Sequence, residues 1–267
     1  GAAGDLAVLR VQALVETGEF SSAKTALMEG AKLYPDRPFF KAAATLPASR
    51  KESQAWLRQL DLQTTAEMWA SFGQWQTCLD TLVKAESLGA PEGADMLLLK
   101  ANAFDQLDRP EDNLRALRAA QKLAPANATL QNNLGYLLLD HGGDIKEAAS
   151  LIEAAVKQEP DNGSFIDSLG WLRFKQGNVK EAETQLRRAA DMRPYSADVR
   201  QHLGEVLLKA GKTDEAITQW ERALAFAFPG RDALEKRLDD VRARQAKAKA
   251  GDALDNAADD GDGGDSE

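Results

Sequence analysis

The chain of 267 residues is 43% hydrophobic and 28% charged, an ordinary balance for a globular protein, and its single cysteine, Cys78, excludes an intrachain disulfide framework. The net charge of −9 is set mainly by residues 251–267, which hold seven acids and no lysine or arginine, so the body is nearly balanced and lacks the basic surface of a nucleic-acid binder. Apolar runs such as "MLLL" at 96–99 are far too short to span a bilayer, and no basic-then-apolar leader opens the chain, which begins with Gly1 rather than Met.

Helical spacing of apolar residues, punctuated by glycine and proline, runs through residues 4–228. The first helix pair is expected over 4–35, with Gly18 in its turn, Ala23 and Leu27 in its second helix and Pro35 at its end. Residues 36–61 are too short for a full unit and are broken by Pro47, which reads as a degenerate pair. Further pairs follow at 62–91, 94–125, 128–160, 163–194 and 197–228. A last helix over 230–250 places Leu234, Leu238 and Val241 on one side, as a cap must to cover the final apolar face of an open stack. The acidic residues 251–267 lack the side chains for a core and are expected to be disordered.

These pairs keep one ruler. Ala101, Gly135, Gly170 and Gly204 lie 34, 35 and 34 residues apart, and Gly143, Gly177 and Gly211 recur at 34. Ala148, Ala182 and Ala216 form another column, as do Ala120, Ala155, Ala189 and Ala223, and Pro91, Pro125, Pro160 and Pro194. Within a unit, a first helix such as "FIDSLGWLRFKQ" ends at a glycine that can adopt the left-handed conformation. A second helix then carries Ala182, Leu186 and Ala189 on one face. Small residues at 170, 182 and 189 let the two backbones approach, which offsets the cost of about 1 kcal/mol that a mid-helix glycine carries. Asn113 replaces the alanine of later units, so packing there should be looser, and the turn 140–144 is one residue longer than its counterparts.

The pattern resembles the tetratricopeptide repeat, a 34-residue helix–turn–helix unit, most closely over 94–228 and less so before. The resemblance implies an all-α, right-handed superhelical α-solenoid whose first helices line a concave groove. On those helices spacing places Asp167, Trp171, Phe174 and Lys175 together. Their counterparts are Asn132, Tyr136, Leu139 and Asp140 one unit earlier, and Gln201, Glu205, Leu208 and Lys209 one unit later, with Asn102 and Asp105 extending the strip. This is an aromatic and aliphatic band with a mainly acidic rim, of the kind that anchors a partner segment. Asp140 and Asp167 read as solvated rim residues, and Trp220 reads as core.

No constellation for catalysis emerges. Neither His141 nor His202 has a metal-ligand partner at i+3 or i+4, and "HGGD" at 141–144 fills a turn without the G-x-S-x-G elbow of hydrolases. "DDGDGGD" at 259–265 lacks calcium-loop spacing, and Cys78, in a small-residue column, reads as a buried, inert thiol. No cofactor or metal is expected. Chaperone-tail clamps of the family use Lys, Asn and Arg where Asp167, Trp171, Asp198 and His202 stand here, so that chemistry is not expected. An asparagine ladder is also missing, since Asn133 is followed by Ser168 and His202.

The run "FIDSLGWLRFKQGNVKEAETQLRRA…HLGEVLLKAGKTDEAITQWERAL" resembles the C-terminal repeats of bacterial envelope tetratricopeptide proteins, including lipoproteins that serve carboxy-terminal processing proteases. That resemblance implies a non-enzymatic periplasmic or outer-membrane-associated adaptor, with any lipid anchor outside this chain. The partner expected is a protein or peptide segment, apolar with basic flanks. The alternative expectation is the regulatory or targeting portion of a larger enzyme. Nucleic acid is not an expected partner.

Overall fold

A computed structural model describes residues 2–259 except 36, 42, 44, 45, 47, 48, 89–92, 227 and 229. Fourteen helices and no strand occur among the described residues. They fall into two compact units, Gly1–Pro125 and Ala126–Glu267.

The first unit contains α1 (Ala2–Glu16), α2 (Phe20–Leu33), α3 (Pro38–Lys41), α4 (Arg50–Ser71), α5 (Trp75–Ser87), α6 (Ala94–Gln106) and α7 (Pro110–Leu123). Helix α4 corrects one expected boundary. It runs unbroken through residue 61, because 50–71 contains neither glycine nor proline, and it starts at a capping box in which Ser49 Oγ accepts the Glu52 N–H at 3.2 Å. One core joins Val11, Ala23, Leu27, Phe40 and Leu57, and a second joins Ala66, Cys78, Leu82, Ala85 and Ala103. Asn113 on α7 is buried, its Nδ2 donating to Asp105 Oδ1 at 3.2 Å while its own Oδ1 has no partner.

Cys78 is fully buried in that second core, and burial first, then the Glu67 carboxylate, pushes its thiol up to about 11. The thiolate needed for alkylation is therefore scarce in the native state. Iodoacetamide labelling near pH 8 should accelerate at least about a hundredfold when the protein is unfolded in guanidinium. Equal rates folded and unfolded would contradict this placement.

The second unit contains α8 (Ala128–Asp140), α9 (Ile145–Gln158), α10 (Gly163–Lys175), α11 (Val179–Met192), α12 (Ala197–Lys209), α13 (Thr213–Leu224) and α14 (Arg231–Asp259). Each first helix packs on its own second helix, and α8, α10 and α12 also touch in succession, whereas α9, α11 and α13 meet the next unit through its first helix. The first helices therefore form the inner side of this stack. Its seams are as tight as the small-residue columns require: a Cβ on Gly135 would lie 2.7 Å from Ile152 Cγ1, and one on Gly170 2.6 Å from Leu186 Cγ. Ala182, Leu186, Ala189, Ala216, Trp220 and Ala223 are all fully buried.

The hairpin turn after α10 is closed by Gly177 at φ +85°, with Gly177 N–H donating to Phe174 O and Asn178 N–H to Arg173 O. In the longer turn after α8 the left-handed residue is Gly142, at φ +71°, rather than the Gly143 that the repeat ruler aligns. There the extra residue shifts the turn, and Asp144 caps α9 by accepting the Lys146 N–H at 2.8 Å.

Helix α14 caps the stack through Leu234, Leu238 and Val241, which join Trp220 and Ala223 in one core. It continues past the expected end at 250 to Asp259, through a stretch without proline. Residues 260–267 lie outside the described residues.

Candidate functional site

The inner face of the second unit is built by three helices held at fixed starts. Asn127, Asn162 and Ser196 cap α8, α10 and α12, their side chains accepting the N–H of Leu130, Ser164 and Val199. This sets the rotation of each helix, and helical spacing then carries the expected residues to one side.

The structure joins part of that set into a buried network. Asp167 is buried, with Oδ1 and Oδ2 at 3.0 and 3.1 Å from His202 Nδ1, and the other imidazole nitrogen of His202 lies 3.2 Å from the Tyr136 hydroxyl. The network thus crosses α8, α10 and α12. Trp171 stacks on the His202 ring with centroids 4.3 Å apart and planes 18° apart, and on Phe174 at 5.1 Å and 26°. The Lys175 ammonium lies 4.9 Å from the Trp171 ring centre, a cation–π contact.

These contacts correct the expected roles. Asp167 is not a solvated rim residue but the partner of a buried imidazole, and Trp171, only 9% exposed, is floor rather than a projecting anchor. Asn132 and Leu139 are likewise buried. Tyr136, Phe174, Gln201, Glu205 and Leu208 are half-buried and reach the surface, while Asp140, Lys175 and Lys209 are exposed. Glu205 is paired with Arg237 of α14 at 3.2 Å. Asn102 and Asp105 are exposed on α6, in the first unit, and are not part of this network.

His202 is the residue that sequence reasoning missed. Its partner is 35 residues away rather than three or four, one position beyond Gln201, the counterpart of Asp167 in the next unit. One repeat plus one residue brings side chains of adjacent first helices together, so the signal was in the period.

Burial alone would lower the His202 pKa, but the Asp167 carboxylate, helped by Asp198 and Asp140, outweighs it and holds the pKa above its ordinary value. With both nitrogens engaged and one ring face against Trp171, the buried imidazole ties the three first helices together. Trp171 Nε1 and Asn132 Oδ1, by contrast, are buried donor and acceptor atoms without a partner in the protein. Among the described residues no cluster of His, Cys, Asp or Glu could hold a metal ion, and no helix is long and apolar enough to cross a membrane.

Stacked helix pairs with variable side chains along their inner helices define a helical-repeat array, a class built to present an extended surface. The chain belongs to the tetratricopeptide repeat family: the family model matches residues 76–128, 98–163 and 168–232, together more than half of it. It is 33% identical over 142 residues to the TPR repeat-containing protein PA4667 of Pseudomonas aeruginosa, an alignment covering 51% of this chain and 23% of that protein. The chain therefore spans less than a quarter of that relative. The crystal structure of TTC0263, a thermophilic TPR protein of Thermus thermophilus, superposes with a TM-score of 0.54 at 19% identity, covering 68% of this chain and 98% of that one. MamA from Desulfovibrio magneticus RS-1 gives 0.49 at 17% identity, covering 63% and 94%.

Proposed function

We propose that the second unit grips a protein segment on its inner face, and that the protein serves as a non-enzymatic adaptor in a bacterial envelope assembly, secretion or proteolysis system. The observation that carries this reading is the half-exposed band of Tyr136, Phe174 and Leu208 above a floor fixed by Asp167, His202 and Trp171. A rigid floor lowers the ordering cost of binding, and partly exposed aromatic and aliphatic side chains supply the contact area. Of the exposed charges around the band, Asp140 and Asp198 favour basic residues in the segment's flanks, while Lys175 and Lys209 favour an acidic one beside them. The bacterial relative and the resemblance to envelope repeats support the setting.

Short peptides with an apolar centre and graded flanking charge, titrated by fluorescence anisotropy, test this reading. Phe174→Ala and Leu208→Ala should each weaken the best binder at least tenfold, about 1.4 kcal/mol, with a modest loss of thermal stability. Trp171→Ala should weaken binding and lower Tm together, since its ring is floor. Unchanged affinity in both Phe174→Ala and Leu208→Ala would sink the proposal.

A further inference from the structure

The first unit carries a cleft on its second helices that neither the inner face nor the repeat seams use. Between α5, α6 and α7 two adjoining hollows of about 420 and 650 Å³ share Leu97, Arg115 and Ala119 in their walls. Their apolar surface is unusually open: Val83 is 58% and Leu123 57% exposed. Beside it, Arg115, Arg118 and Lys122 form a basic stripe along α7 at spacings i, i+3, i+7. Asp112, the nearest acid in the wall, is already bonded by Arg109 and Arg115, and Asp80 accepts from Gln76 at 2.9 Å. This gives the apolar cleft a locally basic edge on a body whose charge is otherwise nearly balanced.

A surface of complementary character lies at the C-terminus. Gln245 reaches Asp214, in the first turn of α13, at 2.7 Å, so α14 passes the end of its packing partner there. It continues to Asp259, a further length of roughly 20 Å at helical rise. Ala246, Lys247, Ala248 and Ala250 on this extension are exposed. An isolated helix of this length is marginal in water, and Gly251 weakens it further. Its sequence is nonetheless amphipathic, with Ala250, Leu254, Ala257 and Ala258 on one side at helical spacing. Asp252, Asp255 and Asp259 fall on another side at i, i+3, i+7, the same spacing as Arg115, Arg118 and Lys122 with the opposite charge.

We propose that the C-terminal helical segment 246–259 of one molecule docks in the α5–α7 cleft of a second copy, with Leu254 and the alanines against the apolar wall and the three aspartates along the basic stripe. Exposed ion pairs alone contribute little, so the apolar contact supplies affinity and the matched charge spacing supplies register. Because donor and acceptor surfaces differ, two copies can exchange segments into a closed dimer or pass them head to tail into rings or chains, and in either case association grows with concentration.

Sedimentation velocity of the full chain from about 1 to about 200 μM should show mass rising with concentration, and less so when salt is raised from about 50 to about 500 mM. Arg115→Glu/Arg118→Glu/Lys122→Glu, and separately Asp252→Lys/Asp255→Lys/Asp259→Lys, should each weaken association at least tenfold while helical circular dichroism is kept. The chain carrying all six changes should associate again, a result that misfolding of either parent could not produce. A labelled peptide of residues 245–267 should bind the wild type at least tenfold more tightly than the groove-reversed variant. A wild type that stays monomeric across the range, a six-fold variant that fails to recover, or equal peptide binding to both proteins overturns the proposal. So does cross-linking that places the segment in the cleft of its own molecule.

Discussion

Gly204→Ala lowers thermal stability, although alanine is the better helix former. Propensity alone favours the alanine by about 1 kcal/mol in a helix interior. The new Cβ, however, would be driven into the indole of Trp220, at its Nε1 and Cδ1. That ring has nowhere to go: Trp220 is fully buried among Ala223, Leu234 and Leu238, and its Nε1 donates to Gln201 O at 3.2 Å. Overpacking a rigid aromatic costs about 1–3 kcal/mol and occasionally more, and displacing the indole adds a lost hydrogen bond of about 1 kcal/mol. The net expectation is a destabilisation of about 2 kcal/mol, or a Tm lower by roughly 4–8 °C for a chain of this size. Gly170→Ala should cost less, because the obstacle is Leu186 Cγ at 2.6 Å and a leucine can adjust its rotamer. Trp220→Phe in the Gly204→Ala background should be milder than the sum of the two single losses, as contacting residues couple. A Gly204→Ala protein that melts at or above the wild-type temperature would show that the seam yields.

The same seam explains what the sequence discloses. The columns of Gly, Ala and Pro are periodic because helix pairs of one kind recur, and each small residue answers to a neighbour within its own unit, as Gly170 does to Leu186. Local chemistry of that sort can be read from spacing. So can the face of α10 that holds Asp167, Trp171 and Phe174. What spacing within one helix leaves open is whether that face meets solvent. The answer depends on the neighbouring first helix, whose His202 side chain covers Trp171 and binds Asp167. Burial of the expected site was therefore encoded in the offset between repeats rather than in any one of them. Where the ruler itself slips, as in the turn at Gly142 or through the unbroken helix α4, alignment by column misplaces a residue or a boundary.

Asp167→Asn should reverse the sign of the protein's stability change with pH around neutrality. In the wild type the folded state raises the His202 pKa above its unfolded value near 6.5, so the fold holds that proton more tightly than the unfolded chain does. The stability this contributes is complete below the unfolded pKa and is lost as pH rises through the folded one. Denaturant midpoints should therefore decline from about pH 6.5 upward, for this group's part. Remove the carboxylate, and burial, the largest single influence on the imidazole, is no longer outweighed, so the folded pKa drops below 6.5. Stability of Asp167→Asn is then lost as pH falls through that region, because the fold must either release the proton or bury an unpaired cation. An uncompensated buried charge costs about 3–5 kcal/mol, whereas at high pH the neutral imidazole still finds an amide oxygen at position 167 and the loss stays near about 1 kcal/mol. The gap between wild type and variant should thus widen on acidification from pH 8 to pH 5.5 and narrow on return, with the His202 resonances titrating in opposite directions from the free-histidine value by NMR. Two stability profiles that run parallel across this range would mean that the Asp167–His202 contact carries no net charge coupling, and the floor of the groove would then rest on the Trp171 stack alone.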